Sequence, residues 1–143
     1  MAQNCRFAFA VHVLSSLALH PEGAMNSEQL AQTVNTNPVV IRRLLLDLRD
    51  GGLIETQRGP GGGARLARPA ADISLAQIFR AASGDFTLFG DHPNEPAQCC
   101  PVGRGIKAVL EGVARKAVQC VEQHYDAMSL ADVVAQLRIE PPA

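Results

Sequence analysis

The chain has 143 residues, 47% hydrophobic and 19% charged, with a formal net charge of −1. That is the length and mixture of a single globular domain, and it excludes wholesale disorder, a collagen-like repeat and a uniformly basic coat for nucleic acid. Charge is nevertheless uneven: up to Arg68 there are seven arginines against five acids, and from Pro69 onward six bases against nine acids. The two halves are expected to meet different partners. Four cysteines are too few for a disulfide scaffold.

Residues 7–19 are apolar and follow Arg6, as in a signal peptide, but they lack a small-residue cleavage site and contain His12, Ser15 and Ser16. Phe7, Ala10, Val11, Leu14, Leu17 and Ala18 recur at helical spacing. The segment reads as a buried helix ending before Pro21 in a cytoplasmic protein whose thiols stay reduced. No run is long enough to span a membrane.

A second, short helix is expected from Asn26, which forms a capping box with Gln29. Asn35, Thr36 and Asn37 interrupt it. Asn37 then caps a third helix with Pro38 in its first position, where a missing amide costs nothing. Ile41, Leu44, Leu45 and Leu48 make its apolar face, and Gly51-Gly52 ends it. Two short strands, 53–57 and 64–67, flank the run Arg58-Gly-Pro-Gly-Gly-Gly63. Ser74 caps a fourth helix with Gln77 as its box partner, and Gly84 stops it.

Residues 85–100 have no clear period, and a loop this long in a compact domain is usually functional. Phe86, Leu88 and Phe89 are expected to anchor it. The longest helix starts near Pro101 and carries Val102, Ile106, Val109, Leu110, Val113, Ala117, Cys120, Val121 and Tyr125 at helical spacing. Its length, on the order of 36 Å at 1.5 Å per residue, exceeds what a domain of this size needs to cover its own core. Cys120 on that stripe is expected in the core. A last helix, capped by Ser129, runs to about Leu137.

The fold class is therefore mainly α with a small β-hairpin, in the order of a winged helix-turn-helix followed by a long helix. The division expected is a helix-turn-helix and hairpin unit at 1–84, a loop at 85–100, and the long helix with a C-terminal helix at 101–143. In such a fold the third helix enters the major groove and the hairpin reaches the backbone or minor groove. Asn35, Thr36, Asn37 and Val39 sit at the helix start. Arg42 and Arg43 can contact phosphates or read guanine, and Arg58, Gly61, Gly62 and Arg65 form the wing. A solvated arginine face on a protein-interaction module without DNA binding is the alternative.

The stretch Ile41-Arg-Arg-Leu-Leu-Leu-Asp-Leu-Arg-Asp-Gly-Gly-Leu-Ile-Glu-Thr-Gln-Arg-Gly-Pro-Gly-Gly-Gly63, followed by Leu66-Ala67 and Ile73-Ser-Leu75, resembles the Rrf2 family of bacterial transcription regulators. The likeness extends to the first helix and the late long helix. It implies a homodimeric repressor that binds a double-stranded DNA operator. Asn37 through Arg43 would be the recognition helix and Arg58 the wing arginine. Residues 1–84 would be the DNA-binding domain and 85–100 a sensor loop, and at 101–143 the long helix would be the dimerisation helix, with its interface through Val102, Ile106, Val109, Val113, Ala117 and Val121. Ala64 departs from the family, which often has an aromatic after the glycines.

Family members often sense with cysteines, and one branch holds an iron–sulfur cluster on three cysteines in the loop before the long helix. Here Cys99 and Cys100 are adjacent and Cys120 lies far into the helix, so the chain looks like the cluster-free branch. No Cys-x-x-Cys spacing for zinc exists, and no metal or other cofactor is expected. A thiol sensor remains: Cys100 precedes Pro101 at a helix N-terminus, where thiolate is favoured, with Cys99 or Cys5 as a second thiol. A cluster-sensing or small-ligand-sensing regulator is the other reading. His92 shares the loop with Cys99 and Cys100, but nothing supplies an oxyanion stabiliser or an orienting group, so no enzyme is expected.

Overall fold

A computed structural model of the chain describes residues 5–137. The elements run α1 (Arg6–Ala18), α2 (Ser27–Val34), α3 (Pro38–Asp50), β1 (Ile54–Gln57), β2 (Gly63–Leu66), α4 (Leu75–Ser83), α5 (Pro101–Asp126) and α6 (Leu130–Gln136), with a 3₁₀ turn at Ala70–Asp72 before α4.

The capping residues explain where the helices start. Asn26 Oδ1 accepts from the Gln29 N–H at 2.8 Å, and Gln29 Oε1 accepts from the Asn26 N–H at 2.9 Å. Ser74 and Gln77 repeat this reciprocal arrangement at α4. Asn37 Oδ1 accepts from the Val39 N–H at 2.9 Å to open α3. Between α2 and α3 the chain turns on Asn35, whose φ of +64° is the left-handed conformation asparagine tolerates better than most residues. That residue lets α3 follow α2 after a turn of three residues.

The apolar stripes of these helices meet in one core. Leu14 of α1, Leu30 of α2, Ile41, Leu44 and Leu48 of α3, and Ile78 of α4 are fully buried. The C-terminal helix α6 joins the same core. Leu130 is fully buried, its N–H donates to the Ile73 carbonyl at 2.8 Å, and the Leu75 N–H donates to the Met128 carbonyl at 2.9 Å. Burying one leucine side chain contributes about 1.5–3 kcal/mol, so α6 stabilises the body that carries α3.

β1 and β2 pair antiparallel, with Ile54 opposite Leu66 and Glu55 opposite Arg65. Met25 adds a third segment to this hairpin. Its N–H donates to the Ala64 carbonyl at 3.0 Å, and the Ala64 N–H donates to the Met25 carbonyl at 2.8 Å. Gly63 permits the approach: its φ is +144°, and a Cβ there would lie 2.4 Å from the Met25 carbonyl oxygen. Ala64, where an aromatic was the family expectation, is fully buried within the core.

The long helix behaves differently. None of the 26 residues of α5 is buried. It meets the body at its C-terminal end, where Tyr125 stacks on Phe7 with ring centroids 5.4 Å apart. Phe86 stacks on Phe79 at 4.1 Å and so anchors the loop that leaves α4. Leu88 and Phe89 are exposed, contrary to the expectation that they anchor it too. Cys120 is also exposed rather than in the core. The spacing placed it on the α5 stripe, but among the described residues that stripe has no partner over most of its length.

Candidate nucleic-acid interface

The outward face of α3 is set by its buried one. With Ile41, Leu44, Leu45 and Leu48 turned inward, Val39, Arg42, Arg43, Leu46 and Arg49 are left on the solvent side. The wing stands beside this face. Between them lies a cleft of ≈ 610 Å³ whose lining includes Arg42, Leu46, Arg49, Arg58 and Gly62. Backbone freedom at Gly59 (φ +93°) and Gly61 (φ +74°) shapes the wing tip.

The arginines of this face are not equivalent. Arg42 bonds Glu28 Oε1 at 3.0 Å and Ser27 Oγ at 3.2 Å, which ties α3 to the start of α2. The Glu28 carboxyl is held below its ordinary pKa by a backbone hydrogen bond at Glu28 itself and then by Arg42. Arg49 pairs with Asp50 at 3.5 Å. Arg43, Arg58 and Arg65 make no ion pair among the described residues. Asp47, the other acid on α3, is neutralised by Arg6, which also donates from Nε to the Ala82 carbonyl at 2.7 Å. The face thus presents Arg43 and Arg58 outside any ion pair among the described residues, beside Arg42 and Arg49, a set suited to a phosphate backbone.

Of the residues singled out from the sequence, the cleft gathers Arg42, Arg58 and Gly62. Val39 and Arg43 lie on the adjoining face of α3, and Gly61 is at the wing tip. Asn35, Thr36 and Asn37 build the turn: Thr36 N–H donates to the Ala31 carbonyl at 3.0 Å, and the Asn37 side chain is used as a cap. Arg65 lines a separate hollow with Leu17, His20 and Arg68, away from the cleft. Leu46 and Arg49 were missed. Their signal was available, since positions 39, 42, 46 and 49 share a face at helical spacing.

At the start of the long helix, Cys100 is the N-cap residue of α5 and is exposed. The backbone N–H groups of Gly103 and then Val102, at the N-terminus of α5, hold its pKa below the ordinary thiol value. The preceding segment is clamped onto the helix. Lys107 pairs with Glu95 at 2.8 Å, Arg104 donates to the Gln98 carbonyl at 3.1 Å, and Gly103 leaves room for the Ala97 carbonyl. Cys99 is exposed next to Cys100, and Cys5 is the N-cap residue of α1.

A helix-turn-helix, a glycine-rich hairpin and an arginine-lined cleft between them define a winged-helix protein of the DNA-binding class. The chain belongs to the Rrf2 family of transcriptional regulators: the family model, described as "Iron-dependent Transcriptional regulator", matches residues 3–136. It is similar to YwnA of Bacillus subtilis (strain 168), named as an HTH-type transcriptional regulator. The two are 37% identical over 134 residues, covering 94% of this chain and 98% of that one. Among solved structures, one described as a DNA binding protein superimposes with a TM-score of 0.71 at 32% identity, covering 90% of this chain and 97% of that one. CymR, the global cysteine regulator of B. subtilis, shares the fold with a TM-score of 0.70 at 22% identity, covering 96% and 99% of the two chains. The family is one of regulators and not of enzymes.

The family description names iron, so the donor set matters. Among the described residues no three His, Cys, Asp or Glu side chains gather to hold a metal ion. Cys100 and Cys120 are separated by roughly 30 Å of helix at 1.5 Å per residue. The cysteines of one chain therefore do not fit an iron site, and no step below runs through one.

Proposed function

We propose that this protein is a homodimeric, cytoplasmic transcription regulator that represses by binding a near-palindromic operator. The observation that carries this reading is the cleft between α3 and the wing, with arginines on both walls. α3 would lie in the major groove and the wing against the backbone, and a second copy would present the same pair one helical turn away. The exposed stripe of α5, with Val102 66% and Val109 61% accessible, is the surface on which the second copy would pack. In this division residues 1–84 together with α6 form the reading head, 85–100 the sensor loop, and α5 the dimer helix.

The test is DNA binding by the full chain at several salt concentrations. Affinity should fall steeply with salt, and Arg43→Ala and Arg58→Ala should each weaken it and reduce the salt slope by about one. Binding that ignores salt, or that both variants leave unchanged, would favour a protein-interaction module instead.

The N-terminus of α5 favours thiol control as the signal. The Cys100 thiolate would attack one oxygen of hydrogen peroxide, forming an S–O bond as the O–O bond breaks and hydroxide leaves, so that the sulfur is oxidised to a sulfenic acid and the peroxide reduced. The new group would sit at the N-terminus of α5, at the seam between the clamped loop and the dimer helix. Loosening that seam would change how α5 sets the two heads relative to each other.

A further inference from the structure

Building on the DNA reading above, we propose that Val39 and Leu46 read thymine methyl groups, so that the operator half-site carries two A·T pairs about three base pairs apart. Both side chains belong in a core by chemistry, yet Val39 is 51% and Leu46 50% exposed. They are seven residues apart, which is within roughly 20° of two full helical turns, so they lie on one line along α3. That line is the centre of the outward face, directly opposite the buried Leu44 and Leu48. Arg43 sits between them, and Arg42 and Arg49 flank them on the wing side, where the cleft lining includes both arginines and Leu46.

The surrounding positive charge identifies the partner. A protein partner recognised through an apolar ridge would not need arginines along the ridge and across the cleft, whereas a duplex does. Within the major groove the one apolar feature is the C5-methyl of thymine; the other base edges present hydrogen-bond donors and acceptors. A valine or leucine pressed against those edges would strip water from polar groups without pairing them. Against a methyl it buries apolar surface on both sides. The spacing follows from the helix: about 10 Å along the axis at 1.5 Å per residue is about three steps of 3.4 Å. Arg43, between the two, falls over the intervening pairs, where a guanine would suit it.

The experiment uses the full-length chain and a random-sequence duplex pool synthesised with thymidine. The selected site is remade with each thymine replaced singly by deoxyuridine, which deletes only the methyl. Two positions per half-site, about three base pairs apart, should each lose about four-fold in affinity, the worth of one buried carbon group. Val39→Ala should abolish the thymine–deoxyuridine difference at one of them and Leu46→Ala at the other. Both residues are exposed, so neither change should disturb folding. Sequence-specific binding that is indifferent to every methyl, or methyl dependence that both variants leave intact, overturns the inference while sparing the DNA reading. A pool that yields no salt-sensitive binder at all overturns both.

Discussion

Replacing Gly63 by alanine should damage this protein more than the same change at Gly61, although both glycines have positive φ. At Gly61 (φ +74°) a Cβ meets nothing within 4 Å, so the cost is that of a left-handed residue, about 1–2 kcal/mol. At Gly63 (φ +144°) the same Cβ would lie 2.4 Å from the Met25 carbonyl oxygen, 2.5 Å from its carbon and 2.9 Å from the Asn26 nitrogen. All three are backbone atoms, so the wing and the 25–26 segment must part. That adds the two Met25–Ala64 hydrogen bonds, about 0.5–1.5 kcal/mol each, to a strain of about 1–3 kcal/mol for the glycine-only conformation. The gap between the two variants is then about 2 kcal/mol. Urea unfolding at one fixed protein concentration reads it: with a slope of about 1–3 kcal/mol per molar, the Gly63→Ala midpoint should fall about 1 M below that of Gly61→Ala. DNA affinity should follow, because the wing wall of the cleft moves with Ala64. Equal midpoints for the two variants would refute the claim that Met25 clamps the wing.

Four further outcomes are expected. Leu130→Ala, which empties a fully buried site in the body, should lower stability by about 2.7–5 kcal/mol in denaturant unfolding, although residue 130 lies far from α3 in sequence. Val109→Asp, at a position 61% exposed in the single chain, should leave helix content unchanged by circular dichroism but shift sedimentation from dimer to monomer and weaken operator binding. Cys100 should alkylate with a pH midpoint below that of an ordinary thiol, because the backbone N–H groups of Gly103 and Val102 at the α5 N-terminus favour the thiolate. Its rate should therefore persist as pH is lowered after that of an unperturbed thiol has faded, as read by site-resolved mass spectrometry. Cys100→Ser protein should keep its DNA affinity and lose any response to peroxide; normal release of DNA by that variant would remove thiol control.

Much of the architecture was legible from local chemistry. Asn26, Asn37 and Ser74 start helices because their side chains satisfy backbone amides a few residues away, and the residues that do so are adjacent in sequence. The inward face of α3 was legible for the same reason: 3.6-residue periodicity is a property of one segment. The outward positions Val39, Arg42 and Arg43 were therefore legible, and those of Leu46 and Arg49 follow by extending the same phase. The Met25–Ala64 pairing left no trace, because a single bridging residue has no period. The exposure of Leu88 and Phe89 was not legible either: Phe79 and Tyr125 leave a place for one aromatic of the loop, and Phe86 takes it.

By itself the sequence determined which segments are helical, where they begin, which face of each is apolar, and that a glycine-rich turn joins two strands beside an arginine-bearing helix. These follow from forces acting over a few residues. Only the tertiary structure decided that α6 is built into the body that carries α3, that Arg42 is shared with Glu28 while Arg43 and Arg58 are not so engaged, and that Arg65 turns away from the cleft. It also decided that Cys120 lies on an outer surface, because an apolar stripe states only that something must cover it. The partners in each case are distant along the chain, and a contact between distant residues is settled by how whole elements pack.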